Sequence, residues 1–453
     1  MHLKTHLRAI LLGATLATAM TSPALAESSD SEAIAALQKK LDQSLKMIEA
    51  LSKRVQELES HQPAAQSAAA TPAAAPAAAA AAEPAAPSTE QRLADVEHRV
   101  QQVETTNATR QQDTTGLPIH GFADVGIGNY NPYFPELRGG NIGSVDFYLT
   151  PKLGDRVLML SELIFEVGPD NSVGTDLERF QIGYQFSDAA TVWVGRFHTP
   201  YGYVNTAFHH GVWLSDALRR PKFVNFEDHG GVLPAHTVGV WVTGSERTGP
   251  GKVLYDLYAG NAQQISGGIV DMQSGGNLHG SAIAGTRLSY QFTSGAADGL
   301  TFGANYFTDK VNSADTNNLT RLNVAGAYAV YDTDTWEHIA EAYAFRDTNL
   351  NGPGGTNSST AWFAQFAYRG GWGVPYVRYE RASLDQRDLY FAEQQFGASY
   401  HRGALGVRFD INDKSAIKFE LANTHTTDDR PGDIAYGLPL DYTEVLAQYA
   451  VRF

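Results

Sequence analysis

From residue 117 onward, apolar and polar residues alternate along most of the chain. The segments "RFQIGYQF" (179–186), "LGVRFDI" (405–411), "AIKFEL" (416–421) and "EVLAQYAVRF" (444–453) have apolar or aromatic side chains at one parity and polar, often charged, side chains at the other. Successive side chains of a β-strand point to opposite faces of the sheet. The pattern therefore predicts antiparallel strands with one wetted face.

The alternation defines sixteen predicted strands. They lie at about 117–130, 144–153, 156–168, 174–187, 190–198, 236–245, 252–261, 281–293, 299–309, 320–332, 335–346, 359–370, 372–384, 399–412, 415–424 and 444–453. The parity is ambiguous in segments such as "WEHIAEAYAF" (336–345), which leaves the count open by two strands.

The connections between these strands alternate in length. Short links at 154–155, 333–334 and 412–413 are interspersed with longer ones. The long connections are 131–143, 199–235, 262–280, 347–358, 385–398 and 425–443. Short turns on one rim and long loops on the other are typical of an outer-membrane barrel.

A membrane barrel also explains where the apolar face goes. In a soluble sheet, the apolar faces of all these strands would need a common core, and the sequence of this region predicts no helices to cover them. In a closed barrel, the apolar parity faces lipid, the polar parity faces a water-filled lumen, and every backbone group is paired. The prediction is an all-β membrane protein with a sixteen-stranded antiparallel transmembrane β-barrel over 117–453.

The first 112 residues differ from the barrel region. Residues 1–26 have the pattern of a signal peptide for export, with a short apolar stretch before "SPALA"; a membrane anchor is the alternative. Residues 62–88 are predicted to be an Ala/Pro-rich linker, and 89–112 a short second helix.

Residues 27–61 predict a coiled-coil helix. Its heptad seam consists of Ile34, Leu37, Leu41, Ser44, Ile48, Leu51, Val55 and Leu58. A single helix cannot bury such a stripe, so self-association is expected, while a helix docked on its own chain is the alternative. The stripe does not fix the number of strands in the coil. This helical coiled-coil extension is predicted to lie in the periplasm.

The chain resembles the porin superfamily over residues 117–453. The resemblance rests on the sixteen strands, the elongated third loop 199–235, the terminal Phe453 and "GRFHTPYG" (195–202), which looks like the strand-to-loop junction of phosphate-selective porins. It implies a homotrimer in a lipid bilayer, a location in the bacterial outer membrane, and passage of small hydrophilic solutes. It also implies that Phe453 belongs to the signal that the outer-membrane insertion machinery reads.

In such porins the third loop folds inward and narrows the pore. Carried over, this makes the charges of the third loop candidates for the pore constriction: Arg219, Arg220, Lys222, Asp216, Glu227 and Asp228. Opposed basic and acidic groups at a constriction favour polar over apolar solutes. The alternative is that these charges bind the backbone of the loop or lie at the rim.

The inward parity of the strands carries both signs of charge. The candidates for the lumen wall are Arg179, Arg287, Arg378, Arg408, Lys418 and Glu420, interspersed with Asp124, Asp146, Glu162 and other acids. A dedicated phosphate channel would need a strongly basic ladder along the lumen, so the mixture speaks against one.

Histidines near the third loop raise the question of a metal site. They are His198, His209, His210, His229 and His236. Their spacing matches no tight ligand motif, so packing within the loop is the preferred interpretation and metal binding the minority one. No cofactor is expected.

Composition limits the other functions. The chain has no Cys, which excludes disulfides and thiolate sites, and its net charge of −15 argues against nucleic acid as a partner. No nucleophile–base pair is evident, so an enzyme is not expected, and an enzyme with its site at the rim is a minor alternative. The rival to a porin is a tethering protein whose periplasmic extension binds the cell wall or a partner complex.

Overall fold

The structure is a computed structural model, and it describes residues 119–129, 139–151, 153–167, 172–208, 212–226, 230–276, 281–427 and 441–453. The predicted signal peptide, coiled coil, linker and second helix lie outside the described residues. So do Lys152, which shares the inward parity, and the loop residues Glu227 and Asp228.

Eighteen strands form one sheet in the described part of the chain. They are β1 (Ile119–Gly128), β2 (Gly139–Leu149), β3 (Val157–Val167), β4 (Val173–Ser187), β5 (Ala190–His198), β6 (His236–Thr248), β7 (Gly251–Asn261), β8 (Gln263–Ser266), β9 (Ile269–Met272), β10 (Ala282–Phe292), β11 (Leu300–Ser313), β12 (Leu319–Asp332), β13 (Trp336–Asn349), β14 (Thr356–Tyr368), β15 (Val374–Ser383), β16 (Tyr400–Asn412), β17 (Ser415–Thr426) and β18 (Asp441–Arg452). The helical elements within the described ranges are α1 (Val204–Ala207), α2 (Leu389–Ala392) and two 3₁₀ turns, Lys222–Val224 and Gly295–Ala297.

Sixteen of these strands close into an antiparallel barrel, which confirms the predicted count. Neighbours along the chain pair with each other, β7 pairs with β10, and β18 pairs with β1 to close the ring. The remaining two strands, β8 and β9, form a hairpin within a long connection, and β8 pairs in parallel with the end of β11.

Two sequence predictions about these elements were wrong. The segment 262–280 was expected to be a loop, but it contains the β8–β9 hairpin, whose four-residue strands are too short to give a recognisable alternation. The second strand was expected at 144–153 and begins instead at Gly139. Its glycine-rich first half has few side chains to alternate, yet its backbone pairs with β1.

Period-two alternation sorts the side chains as predicted. On β18, Val445 and Tyr449 are exposed on the outer face, whereas Glu444 is 1% exposed and faces inward. The same sorting holds across neighbouring strands, because the exposed Val377, Leu405, Leu421 and Val445 are register partners in sequence from β15 to β18. The outer face is therefore an apolar belt and the inner face is polar.

Phe453, the last residue, lies at the seam where β18 pairs with β1 and closes the barrel. Phe453 exchanges both backbone hydrogen bonds with Gly121, at 3.1 and 3.0 Å. A Cβ atom on Gly121 would lie 2.2 Å from the Phe453 ring, so only glycine leaves room for the ring there. The ring also makes an edge contact with Phe147, with centroids 5.8 Å apart.

Aromatic and aliphatic side chains also fill part of the interior. One buried cluster joins inward residues of the wall, such as Trp241, Phe307 and Tyr343, to loop residues such as Tyr201 and Phe223. Trp193 lies over Gly183 and stacks on Trp241, with centroids 6.2 Å apart. Among the described residues, no helix has both the length and the apolar character needed to cross a bilayer.

A charge on the apolar belt should destabilise the barrel in a depth-dependent manner. Leu405→Arg, in the middle of β16, is expected to lower the free energy of unfolding by about 2–4 kcal/mol, because it exposes a cation to the apolar slab. Ser383→Arg is the matched control. Ser383 is the last residue of β15, at the rim that carries the long loops, where a cation should cost only about 0–1 kcal/mol. Guanidinium unfolding in phospholipid vesicles measures both, and equal costs would contradict the assignment of this face to lipid.

Candidate functional site

The third loop, residues 199–235, begins with a turn that lies against the inner wall. Its first anchor is Glu341 on β13, whose Oε1 accepts hydrogen bonds from the backbone N–H groups of Tyr203 and Val204, each at 2.7 Å. These N–H groups lie at the start of α1, where backbone donors need partners. Gly202 (φ +54°) adopts a left-handed conformation, and its N–H donates to Asn305 Oδ1 at 3.1 Å.

Arg287 on β10 completes this first anchor. Its guanidinium donates to the carbonyl oxygen of Gly202 at 2.8 Å and to Thr206 Oγ1 at 2.7 Å. The same group forms an ion pair with Asp256, at 2.8 Å. The wall thus binds the start of the loop through one acid, one base and the amide oxygen of Asn305.

Two cations of the wall hold the middle of the loop. Lys418 Nζ donates to the carbonyl oxygens of Val212, Ser215 and Ala217, and its side chain is fully buried. Arg408 donates to the carbonyl oxygens of Trp213 and Ser215, at 2.6 and 3.0 Å, and lies over the Trp213 ring at 4.6 Å. Carbonyl oxygens are therefore the main partners of these cations.

Asp216 is held by an ion pair with the wall. Its Oδ2 lies 2.9 Å from Arg369 Nη2, and its Oδ1 lies 4.0 Å from Arg408 Nη1. Arg369 also contacts Asp332 and Glu337, the latter at 2.8 Å. Asp216 is consequently neutralised in place.

The three basic candidates of the loop have different surroundings. Arg220 donates to Val224 O and Asn205 Oδ1 within the loop and lies 4.2 Å from the Phe226 ring, so its charge is used inside the loop. Arg219 keeps 28% of its side chain exposed, with Nε 3.4 Å from Glu444 Oε1. Lys222 is half-buried, and its ammonium lies 4.4 Å over the Tyr400 ring.

Carboxylates of the inner wall near residues 219–222 are bound to wall arginines. Glu380 accepts from Arg378 Nε at 2.9 Å and from the backbone N–H of Lys222 at 2.6 Å. Arg402 contacts Glu420 at 3.2 Å and also contacts Glu444. These acids are nearly fully buried, and the adjacent arginines balance their charges at short range.

All six predicted lumen-wall residues are in polar contact; five are buried, and Arg287 is partly buried. Arg179 pairs with Glu162, and Arg378 donates to the carbonyl oxygen of Arg219 at 2.7 Å. Glu420 accepts from the hydroxyl of Tyr376 at 2.7 Å, and that hydroxyl accepts from the backbone N–H of Leu218 at 3.0 Å.

Sequence reasoning missed several anchors of the loop: Asn305, Glu341, Arg369 and Tyr376. It also missed Arg402, which binds the wall carboxylates Glu420 and Glu444. Glu341 lies in the segment of ambiguous parity, and Arg369 lies at the end of a predicted strand, so neither has a clear inward signal in the sequence.

A second loop, residues 384–399, packs on the third loop. The hydroxyl of Tyr390 donates to the carbonyl oxygen of Val232, and Phe391 makes an edge contact with Phe345 at 5.2 Å. Asp388 caps α2 by accepting from the backbone N–H of Tyr390 at 3.0 Å. Burial raises the pKa of Asp388 above its usual range. Nothing in the sequence had distinguished this loop from the other long connections.

Two of the five histidines are neighbours. The rings of His198 and His236 lie 4.8 Å apart, His198 Nδ1 donates to Asn205 O at 2.8 Å, and His236 Nε2 lies 2.9 Å from Glu178 Oε2. His209, His210 and His229 fall outside the described residues. Within the described ranges, no group of three or more His, Asp or Glu side chains could hold a metal ion.

Comparison with known proteins relates the barrel to porins of known structure. No protein-family profile and no curated protein matches the chain. An anion-selective porin from Comamonas acidovorans shares 14% identity and aligns over 75% of this chain and 99% of its own, with a TM-score of 0.51. OmpF of Salmonella typhi (12% identity, 74% and 97% covered, TM-score 0.47) and the outer membrane channel DcaP of Acinetobacter baumannii (9%, 74% and 96%, 0.46) also match. The predicted resemblance to the porin superfamily is confirmed at the level of fold.

Lys418→Met should loosen the middle of the third loop. The substitution removes a donor shared by the carbonyl oxygens of Val212, Ser215 and Ala217, of which Ser215 keeps Arg408 as a second donor. A buried polar group that is left unpaired costs about 1–3 kcal/mol. Amide hydrogen exchange of residues 212–218 is expected to accelerate by about tenfold or more in the reconstituted protein. Lys414→Met, in the exposed turn between β16 and β17, is the control and should leave that exchange unchanged. Unaltered exchange in Lys418→Met would show that the loop is held by other contacts.

Proposed function

We propose that the protein is a porin of the bacterial outer membrane, a water-filled channel through which small polar or charged solutes diffuse passively. A closed barrel of sixteen strands is wide enough to enclose an aqueous channel. Its outer face is an apolar belt of the kind that a bilayer accepts. The likeness in fold to an anion-selective porin agrees with this proposal.

The observation that carries the proposal is the path of the third loop. Its contacts run along the inner wall from Arg287 on β10 through Glu341 and Arg378 to Lys418 on β17. A loop that follows the wall narrows a channel, whereas a loop folded over the rim would cover it. In the proposed channel, the loop forms the narrowest passage.

Charge at this passage is proposed to come mainly from Arg219 and Lys222, whose side chains are both partly exposed. Arg219 keeps this exposure beside its ion pair with Glu444. Asp216, in contrast, is buried in an ion pair with Arg369, and Arg220 binds within its own loop. The ion pair of Asp216 with Arg369 and the contacts of Arg220 with the loop backbone support the alternative interpretation for these two residues, in which their charges hold the loop in place. Glu227 and Asp228 stay candidates for the opposing acidic side.

A trimeric assembly and insertion through Phe453 belong to the same proposal. The proposed trimer is a homotrimer in the lipid bilayer. The tethering alternative depends on the periplasmic extension, which lies outside the described residues, and it stays a prediction.

Arg219→Glu is expected to shift ion selectivity toward cations. Purified protein in planar bilayers should first show stepped openings, because the proposed channel is filled with water. Reversing one charge at the passage changes the sign of the local field. The reversal potential in a salt gradient measures the resulting change in the cation-to-anion permeability ratio.

Arg387→Glu is the control for this experiment. Arg387 is exposed in the loop 384–399, where hydrogen bonds from its guanidinium hold the pKa of Asp385 below its usual range. Its reversal should leave the permeability ratio nearly unchanged. A wild-type barrel that shows no conductance would refute the porin proposal, and an unshifted ratio in Arg219→Glu would remove Arg219 from the passage.

Deletion of residues 27–110 separates the porin from the tethering protein. Conductance per channel should survive the deletion, because the barrel residues all follow residue 117. Attachment of the barrel to isolated cell wall, measured by co-sedimentation, should be lost only if the extension acts as a tether. Loss of conductance in a correctly folded deletion variant would count against an independent barrel.

A further inference from the structure

Three cations lie close together on the outer face of the barrel, at the rim that carries the long loops. Lys310 on β11 is the direct register partner of Arg321 on β12. Arg321 in turn is opposite Thr348 on β13, so Arg346 is its diagonal neighbour. Direct cross-strand partners lie about 4.5–5.5 Å apart and diagonal neighbours about 7–8 Å apart, which long side chains can bridge. Arg321 and Arg346 are exposed, and Lys310 is half-buried.

This arrangement is unfavourable without an external anion. Like charges directly opposite each other destabilise a sheet. Lys310, Arg321 and Arg346 form no ion pair with another residue in the described ranges of the chain. The outward positions of β11–β17, all of them described, carry no Asp or Glu, although the chain as a whole has 49 acidic and 34 basic residues.

The surface beside these cations marks the edge of the apolar belt. The hydroxyl of Tyr306 donates to Asn323 Oδ1 at 3.0 Å, one step further from the rim than the cations. Tyrosine is typical of the boundary between the apolar slab and the headgroup region. Small outward residues lie next to Tyr306 in the register, with Ala325 and Ala344 at its level and Ala304, Ala327 and Ala342 one step further from the rim.

We propose that Lys310, Arg321 and Arg346 bind the phosphate groups of a phosphorylated lipid in the outer leaflet. The cations lie where headgroups of that leaflet meet the barrel, because long loops face the cell exterior. Arginine binds phosphate oxygens in a bidentate manner, and clustered Lys and Arg at a membrane boundary attract anionic headgroups. The acyl chains of such a lipid would lie along the alanine surface. This assignment concerns the outer face and is independent of conduction through the lumen.

The test measures lipid binding by the purified full-length protein in detergent. Native mass spectrometry counts the bound copies of bisphosphorylated lipid A and of the same lipid with its phosphates removed. The wild type is expected to bind the phosphorylated form on the order of tenfold more tightly. The double variant Arg321→Gln/Arg346→Gln should lose most of this preference, because two of the three cations are gone.

Arg387→Gln is the matched control, since it removes an exposed arginine of the same rim that already has a carboxylate partner. It should bind lipid as the wild type does. Far-UV circular dichroism checks that each variant keeps its β-structure. Equal binding of the two lipid forms by the wild type, or wild-type binding by a folded double variant, would overturn the proposal. Full displacement of the lipid by millimolar inorganic phosphate would also overturn it, by assigning the site to free phosphate.

Discussion

The ammonium group of Lys418 is buried on the inner wall, and its hydrogen-bond acceptors are carbonyl oxygens of the third loop. A buried charge is costly unless it is hydrogen-bonded, and a buried carbonyl is costly unless it has a donor. Wall and loop therefore satisfy each other's requirement. Arg408 and Arg378 repeat this exchange on neighbouring strands. Among its described residues, the loop has two short helical turns of its own, so its course is set mainly by the wall.

Along the third loop, the inner wall supplies acceptors for backbone N–H groups and donors for backbone carbonyl oxygens. At its start, Glu341 accepts from loop N–H groups, and Arg287 donates to a loop carbonyl. Further along, Lys418 and Arg408 only donate. The mixed charge of the inner face, which speaks against a basic ladder for phosphate, thus serves to bind the third loop. The wall charges that the loop and its neighbours do not neutralise are the ones left to act on solutes.

Period-two alternation made most of the barrel predictable, because one face must be apolar throughout. The prediction for β5 agrees with the structure at both ends. Prediction failed where side chains give no alternation, as in the glycine-rich start of β2 and the short β8–β9 hairpin. It also failed for anchors such as Glu341, since contacts between residues 137 or 138 positions apart have no local signature. The candidate charged residues could be identified from the sequence. Which of them are neutralised depends on contacts that only the folded structure shows.

The seam between β1 and β18 has a consequence for assembly. Most strands pair with a neighbour in sequence, and such hairpins form quickly because little chain entropy is lost. The seam instead joins Val445 to Asn129 across 316 positions, and pairing between such distant segments is intrinsically slow. Until it forms, the sheet has two unpaired edges that invite pairing with other chains. Whatever guides this polypeptide into its final state must shield both edges at once and release them together.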